Sequence, residues 1–152
     1  MSEDSVRIAS VESLQGHTLR VRWTNGKAFP VDLTETVNRL KGLRPLRDRR
    51  FFQRAFASEG GHSVEWPGEL DIGAARLWEL ALEQNGRADA AAFIRWRWKH
   101  GLSLTRAAEA LGISRRTVAY YVSGDEHVPS YILLACKGWE AEQREGSEAS
   151  VA

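Results

Sequence analysis

The sequence predicts an α+β front domain, an antiparallel sheet with short helices, followed by an all-α domain. Three observations carry this. Apolar and polar residues alternate through much of residues 6–33. From Asp89 onward apolar residues recur at three- and four-residue spacing instead. Those helical segments are punctuated by Ser, Asp or Pro in front and, except for the last, by Gly behind.

VRIASVESL (6–14) reads as a first strand. Leu19, Val21 and Trp23 alternate with Arg20 and Arg22, and Phe29, Val31 and Leu33 alternate after Asn25-Gly26. A two-residue loop at Asn-Gly would turn Phe29 to the wrong face. The expected register therefore pairs Trp23 with Phe29, Val21 with Val31 and Leu19 with Leu33, through a three-residue loop or a bulge. Pro30 lacks an N–H and marks an edge strand. Residues 34–43 read as a short helix or turn, and 51–58 with 62–67 as a second hairpin around Glu59-Gly60-Gly61. Asp71 is placed to cap a helix through GAARLWELALEQ that ends at Asn85-Gly86. Four helical segments follow, and then the acidic stretch AEQREGSEASVA. The expected domains are 1–86, 87–140 and a disordered tail at 141–152.

Composition narrows the function classes. The chain has 152 residues and one cysteine, Cys136, so neither a disulfide framework nor a thiolate zinc cluster is expected. The first ten residues lack the basic-then-apolar order of a leader, and no apolar run approaches the ~20 residues that cross a bilayer. A cytoplasmic protein without membrane contact is the expectation. His17, His62, His100 and His127 have no metal-ligand spacing, and no nucleophile is paired with a base. No enzyme activity, metal or cofactor is expected. Net charge is +1, but residues 39–54 carry seven basic and one acidic side chain, and residues 89–124 carry six and two. Such local excess is the footprint of a phosphate-binding surface. In the first block, RLKGLRPLRDRRFFQR, the favoured reading is a solvated loop whose aromatics enter the core.

The second block contains SLTRAAEALGISRRTVAYYVSG. Ser103 and Ser114 are placed to cap successive helices, and Leu102/Ala107 and Ile113/Val118 have hydrophobic-staple spacing. Gly112 ends the first helix two residues before Ser114, which forces a tight turn. Ala107, Ala108 and Leu111 form one apolar face; Val118, Tyr121 and Val122 form the other. Arg115, Arg116, Ala119 and Tyr120 remain outside, as two pairs four residues apart. Arginines at the leading end of a helix supported from behind suit a DNA major groove, where guanine O6 and N7 accept two hydrogen bonds from one guanidinium.

These residues, with Gly124, Pro129 and the apolar ILLA beyond, resemble the Cro/C1-type helix-turn-helix family, the lambda-repressor-like fold, over residues 89–140. Arg97 sits where that family often keeps an arginine. Leu104 stands where it usually has a glutamine, and Val122 where it often has a glutamate, which leaves Arg97 to Asp125 or to solvent. The resemblance implies double-stranded DNA as partner and helix 114–123 as reader. Arg115, Arg116 and Tyr120 would face bases with Ala119 beside them. Ser103, Thr105, Ser114 and Thr117 would lie along the backbone contacts. The front domain looks like a small bacterial domain of unassigned function. The chain is thus expected to be a sequence-specific transcriptional regulator. As a homodimer it would gain most of its contact from residues 1–86, with their edge strand and tryptophans. The alternative is an antitoxin or adaptor that mainly binds a protein partner.

Overall fold

The computed structural model describes residues 6–151, with side chains through residue 147; Met1–Ser5, part of the segment expected not to be a leader, and Ala152 lie outside it. The chain forms two compact units that meet between Gly86 and Arg87. The first holds antiparallel sheets with short helices, and the second is helical.

The first sheet of the N-terminal unit has the order β1 (Ile8–Ser13), β2 (Thr18–Trp23), β3 (Ala28–Asp32). Leu19, Val21, Trp23 and Val31 are almost fully buried, as the alternation requires. The β2–β3 register differs by two residues from the expected one: Leu19 faces Val31 and Val21 faces Phe29. The expected three-residue loop does form, as Thr24-Asn25-Gly26: Gly26 donates its N–H to Trp23 O at 3.0 Å, and a loop of that length sets Trp23 against Lys27 rather than Phe29. A shift of two keeps every side chain on its face, so burial alone does not separate the two registers.

β3 is an edge strand with Pro30 exposed, but the edge is occupied. The Gln84 amide exchanges two hydrogen bonds with the Asp32 backbone (2.7 and 2.9 Å), and Asn85 donates to Pro30 O at 2.9 Å. The tryptophans of this unit, Trp23, Trp66 and Trp78, are each about 1% exposed. Trp78 stacks edge-on against Trp23 at 5.1 Å. The exposed large apolar side chains of this unit are Leu40 (44%) and Phe56 (47%).

The second sheet is β4 (Phe56–Ala57), β5 (Ser63–Trp66), β6 (Leu70–Gly73). β4 is short because Asp48 caps α2 (Arg49–Phe52), accepting from the Arg50 and Phe51 N–H groups, so residues 51–52 are helical rather than extended. Within the basic block, Phe52 is fully buried while Arg44, Arg47, Arg49, Arg50 and Arg54 are exposed. β6 corrects the reading of Asp71 as a helix cap. The turn Pro67-Gly68-Glu69 returns the chain, and Ile72 pairs with Val64. The helix α3 (Ala74–Gln84) starts after Gly73, with no side-chain cap. Gly61 is where the two sheets come together: its φ is +73°, its carbonyl accepts from Ile8 N–H at 2.8 Å, and a Cβ there would lie 2.3 Å from Ile8 O. Only glycine fits. Along the chain between the first sheet and the second, α1 (Thr34–Arg39) and a 3-10 turn at 41–47 complete the domain.

The C-terminal unit comprises α4 (Ala88–Lys99), α5 (Leu104–Leu111), α6 (Arg115–Ser123) and α7 (Ser130–Val151). Phe93 is its centre, 5.3 Å from Tyr121 and 5.6 Å from Trp96. Residues 141–151, expected as a disordered tail, instead continue α7. The stretch holds three Glu and two Ala, has no proline, and extends a helix already held by packing at Ile132 and Cys136, so propagation needs no new nucleus. Among the described residues no helix is long and apolar enough to cross a membrane.

Candidate nucleic-acid interface

The site is built around α6, and both ends of that helix are fixed locally. α5 starts at Ser103, whose Oγ accepts from Arg106 N–H at 3.1 Å. It stops at Gly112, in the left-handed region at φ +69°, where Ile113 N–H reaches back to Ala108 O at 3.1 Å. Two residues later Ser114 begins the next helix. Its Oγ accepts from Thr117 N–H at 3.0 Å and shares a second hydrogen bond with Thr117 Oγ1 at 2.8 Å. The turn between α5 and α6 is therefore closed by hydrogen bonds on both sides. Ala107 and Val118 are fully buried behind it.

On the outer face Arg115 and Arg116 are exposed, and Ala119 and Tyr120 are half-buried. Arg115 donates from Nε to Thr105 Oγ1 at 3.1 Å, which ties the first turn of α6 to that of α5. Arg116 donates from Nε to the Tyr120 hydroxyl at 2.8 Å, and its guanidinium lies 5.4 Å from the ring centre. Two long side chains are thus oriented before any ligand arrives. Ser103, Thr105, Ser114 and Thr117 lie on the two helix starts beside them.

The electrostatics are unfavourable for the isolated helix. The N-terminus of a helix carries partial positive charge, so cations there cost about 0.3–1 kcal/mol each. The first turn of α6 holds two arginines and no acid. An anion docked at this end would relieve that repulsion.

In the sequence Asp89 marks only the start of a helical segment and Arg87 carries no signal, yet the two hold the far end of α6. Arg87 donates to Gly124 O at 2.7 Å and to Glu126 O at 3.1 Å. It also pairs with both oxygens of Asp89, and Oδ2 accepts from Val128 N–H as well, at 2.8 Å. Burial alone would raise the Asp89 carboxyl. The hydrogen bonds from Arg87, Val128 and Ala90, with the Arg87 charge, outweigh it and hold the group below its ordinary value of 3.8. No spacing links residues 37 apart, so this clamp was not legible. Arg97 is 3% exposed and donates to Leu102 O at 2.9 Å, so it does not point to solvent. Among the described residues no group of three or more His, Cys, Asp or Glu side chains could hold a metal.

A family model for a "Protein of unknown function (DUF2442)" matches residues 8–83. No curated protein matches the chain. The crystal structure of a "putative DNA binding protein" from Nitrosomonas europaea is 38% identical, with a TM-score of 0.70, over 90% of this chain and 88% of that one. No Cro/C1-type family is detected, so the resemblance drawn over residues 89–140 is corrected. It rested on caps, staples and small residues, which serve any two helices joined by a tight turn. The two departures noted, Leu104 and Val122, are buried core positions here rather than polar ones.

Proposed function

The chain belongs to the DUF2442 family, whose description names no activity, and from the geometry of its C-terminal unit we propose that it binds double-stranded DNA sequence-specifically as a transcriptional regulator. α5 and α6 act as a helix-turn-helix, with α6 in the major groove. The observation that carries this is the first turn of α6: two exposed, pre-oriented arginines stand where the helix itself disfavours cations. Arg116 uses Nε for Tyr120, and its two terminal amines are the pair that meets guanine O6 and N7. Ser103, Thr105, Ser114 and Thr117 follow the phosphates, and Ala119 gives the groove room. The description of the Nitrosomonas europaea protein is consistent with this reading.

Regulators of this size usually bind as pairs, because one short helix specifies too few base pairs to single out one site in a genome. With the front-domain edge and tryptophans occupied, Tyr131 (68% exposed) and Leu134 (65%), three apart on α7, are the most exposed large apolar side chains. They supply the second copy's contact. The same pair favours the second reading, a protein adaptor, if the occupant is another protein.

Arg116→Ala tests the primary reading in fluorescence anisotropy with a selected duplex. Its expected loss is ~1–3 kcal/mol on the selected site, with specificity relaxed at one position. Equal loss on selected and random duplexes would reduce Arg116 to a phosphate contact. Affinity that ignores salt would remove DNA as the partner.

A further inference from the structure

The basic block of the N-terminal unit has no part in the reading proposed for α6. Residues 39–54 carry seven cations and one acid, Asp48. All seven cations are exposed, and none forms an ion pair among the described residues. Two of them meet neutral groups: Arg47 donates to Asn38 O at 2.9 Å, and the Arg54 guanidinium lies 5.9 Å from the Phe51 ring centre. The side chains of Arg39, Lys41, Arg44, Arg49 and Arg50 make no contact of either kind among the described residues. Asp48 is occupied as a cap, its Oδ1 accepting from Arg50 N–H at 2.9 Å and from Phe51 N–H at 3.3 Å.

The 3-10 turn at 41–47 gives these charges an order. Side chains three residues apart eclipse in such a helix, about 6 Å apart along its axis. Leu43 and Leu46 therefore share a buried row, and Lys41, Arg44 and Arg47 share an exposed one. The row is held in place: Leu46 is fully buried beneath it, and His17 Nε2 lies 3.1 Å from Arg47 O. α2 follows directly with Arg49 and Arg50. A merely solvated face intersperses the two signs, whereas this one aligns a single sign without counter-charge, and the like charges repel.

We propose that this ridge is a nucleic-acid surface in its own right, which holds the phosphate backbone of double-stranded DNA without reading its bases. A strand presents phosphates at a regular spacing close to that of the cation row, and each one neutralised releases condensed counterions. Such contacts position a protein on the duplex and carry no sequence information. The side chains stand on the outer side of the turn, so they suit an extended polyanion rather than a small enclosed one. A lipid surface would call for apolar residues to bury beside the cations. Leu43, Leu46 and Phe52 face the core instead, which leaves Leu40 as the exposed large apolar side chain of the block. The surface does not depend on α6 being the reader, since it belongs to the other unit of the chain.

The probe is a labelled random-sequence duplex, bound by the full-length chain in fluorescence anisotropy across a salt series. Lys41→Gln with Arg44→Gln removes two cations that make no contact in the fold. This double variant should make log Kd against log salt shallower by about two, equally on random and selected duplexes, with no fall in melting temperature. A slope that ignores the double variant overturns this surface and leaves α6 standing. Failure of the α6 reading shows differently, as an affinity for the selected duplex that Arg115→Ala with Arg116→Ala leaves unchanged. A chain that binds no duplex at low salt removes both surfaces. Arg20→Gln with Arg22→Gln, exposed on β2, is the control, and an equal flattening there would reduce the effect to net charge and overturn the proposal. Binding to vesicles of anionic phospholipid that the double variant abolishes, while duplex binding persists unchanged, would overturn it in favour of a membrane surface.

Discussion

Arg115 and Arg116 sit at the positive end of a helix, so the proposed DNA contact and stability pull their charges in opposite directions. Arg115→Glu and Arg116→Glu should each leave the melting temperature unchanged or raise it, by up to about 1 kcal/mol of stability, because an acid replaces a cation in the first turn. Each should abolish DNA binding in the same preparation. A drop in melting temperature would mean that the bonds to Thr105 and Tyr120 are structural supports first. Asp89 gives the opposite pattern. Its folded carboxyl is held below 3.8, so its contribution is fully present well above that unfolded value and is lost as pH falls through the lowered one. Asp89→Asn should lower the urea-unfolding free energy by about 1 kcal/mol at pH 7, with the gap to the parent narrowing steadily on acidification below the ordinary carboxylate range. A gap that stays constant on acidification would place the effect in packing. The outer stripe of α6 could be read because helical spacing gives it away. The Arg87–Asp89 clamp could not be read, because chain distance hides it.

At the scale of elements, the caps and glycines of the C-terminal unit made α5 and α6 legible nearly to the residue: Ser103, Gly112 and Ser114 stand at the predicted boundaries. The front domain was harder. Alternation identified the buried face of β2 and β3 but left the register open by two residues, which the Thr24-Asn25-Gly26 loop decides. β6 was hidden because Asp71, an exposed residue between Leu70 and Ile72, read as the cap of the helix that follows. Gly61 was read only as a hairpin turn, although its backbone meets Ile8. Gly16 and Gly61 both have φ near +70°, but a Cβ at Gly16 would meet nothing within 4 Å. Gly16→Ala should therefore cost only the left-handed backbone term, ~1–2 kcal/mol. Gly61→Ala should cost distinctly more, since backbone must move. Chemical denaturation of the two variants measures the difference, and equal losses would mean that β1 yields freely.

At the scale of the whole molecule, dimerisation separates the two readings of α7. If Tyr131 and Leu134 join two copies, Leu134→Lys should shift light scattering toward the monomer and weaken binding to a palindromic duplex with half-sites ~34 Å apart. A full-length chain that is monomeric on saturated DNA would leave that patch to another protein. The inner face of α6, Val118, Tyr121 and Val122, is buried in the fold, whereas Arg115, Arg116, Ala119 and Tyr120 lie on the outer face proposed to meet DNA. Because caps from outside the outer stripe fix both ends of the helix, the two alphabets can be edited separately. A library randomised at those four outer positions should yield mostly folded clones with altered target preference; on the proposed DNA reading, duplicated copies of the gene would then acquire new operators without passing through unfolded intermediates.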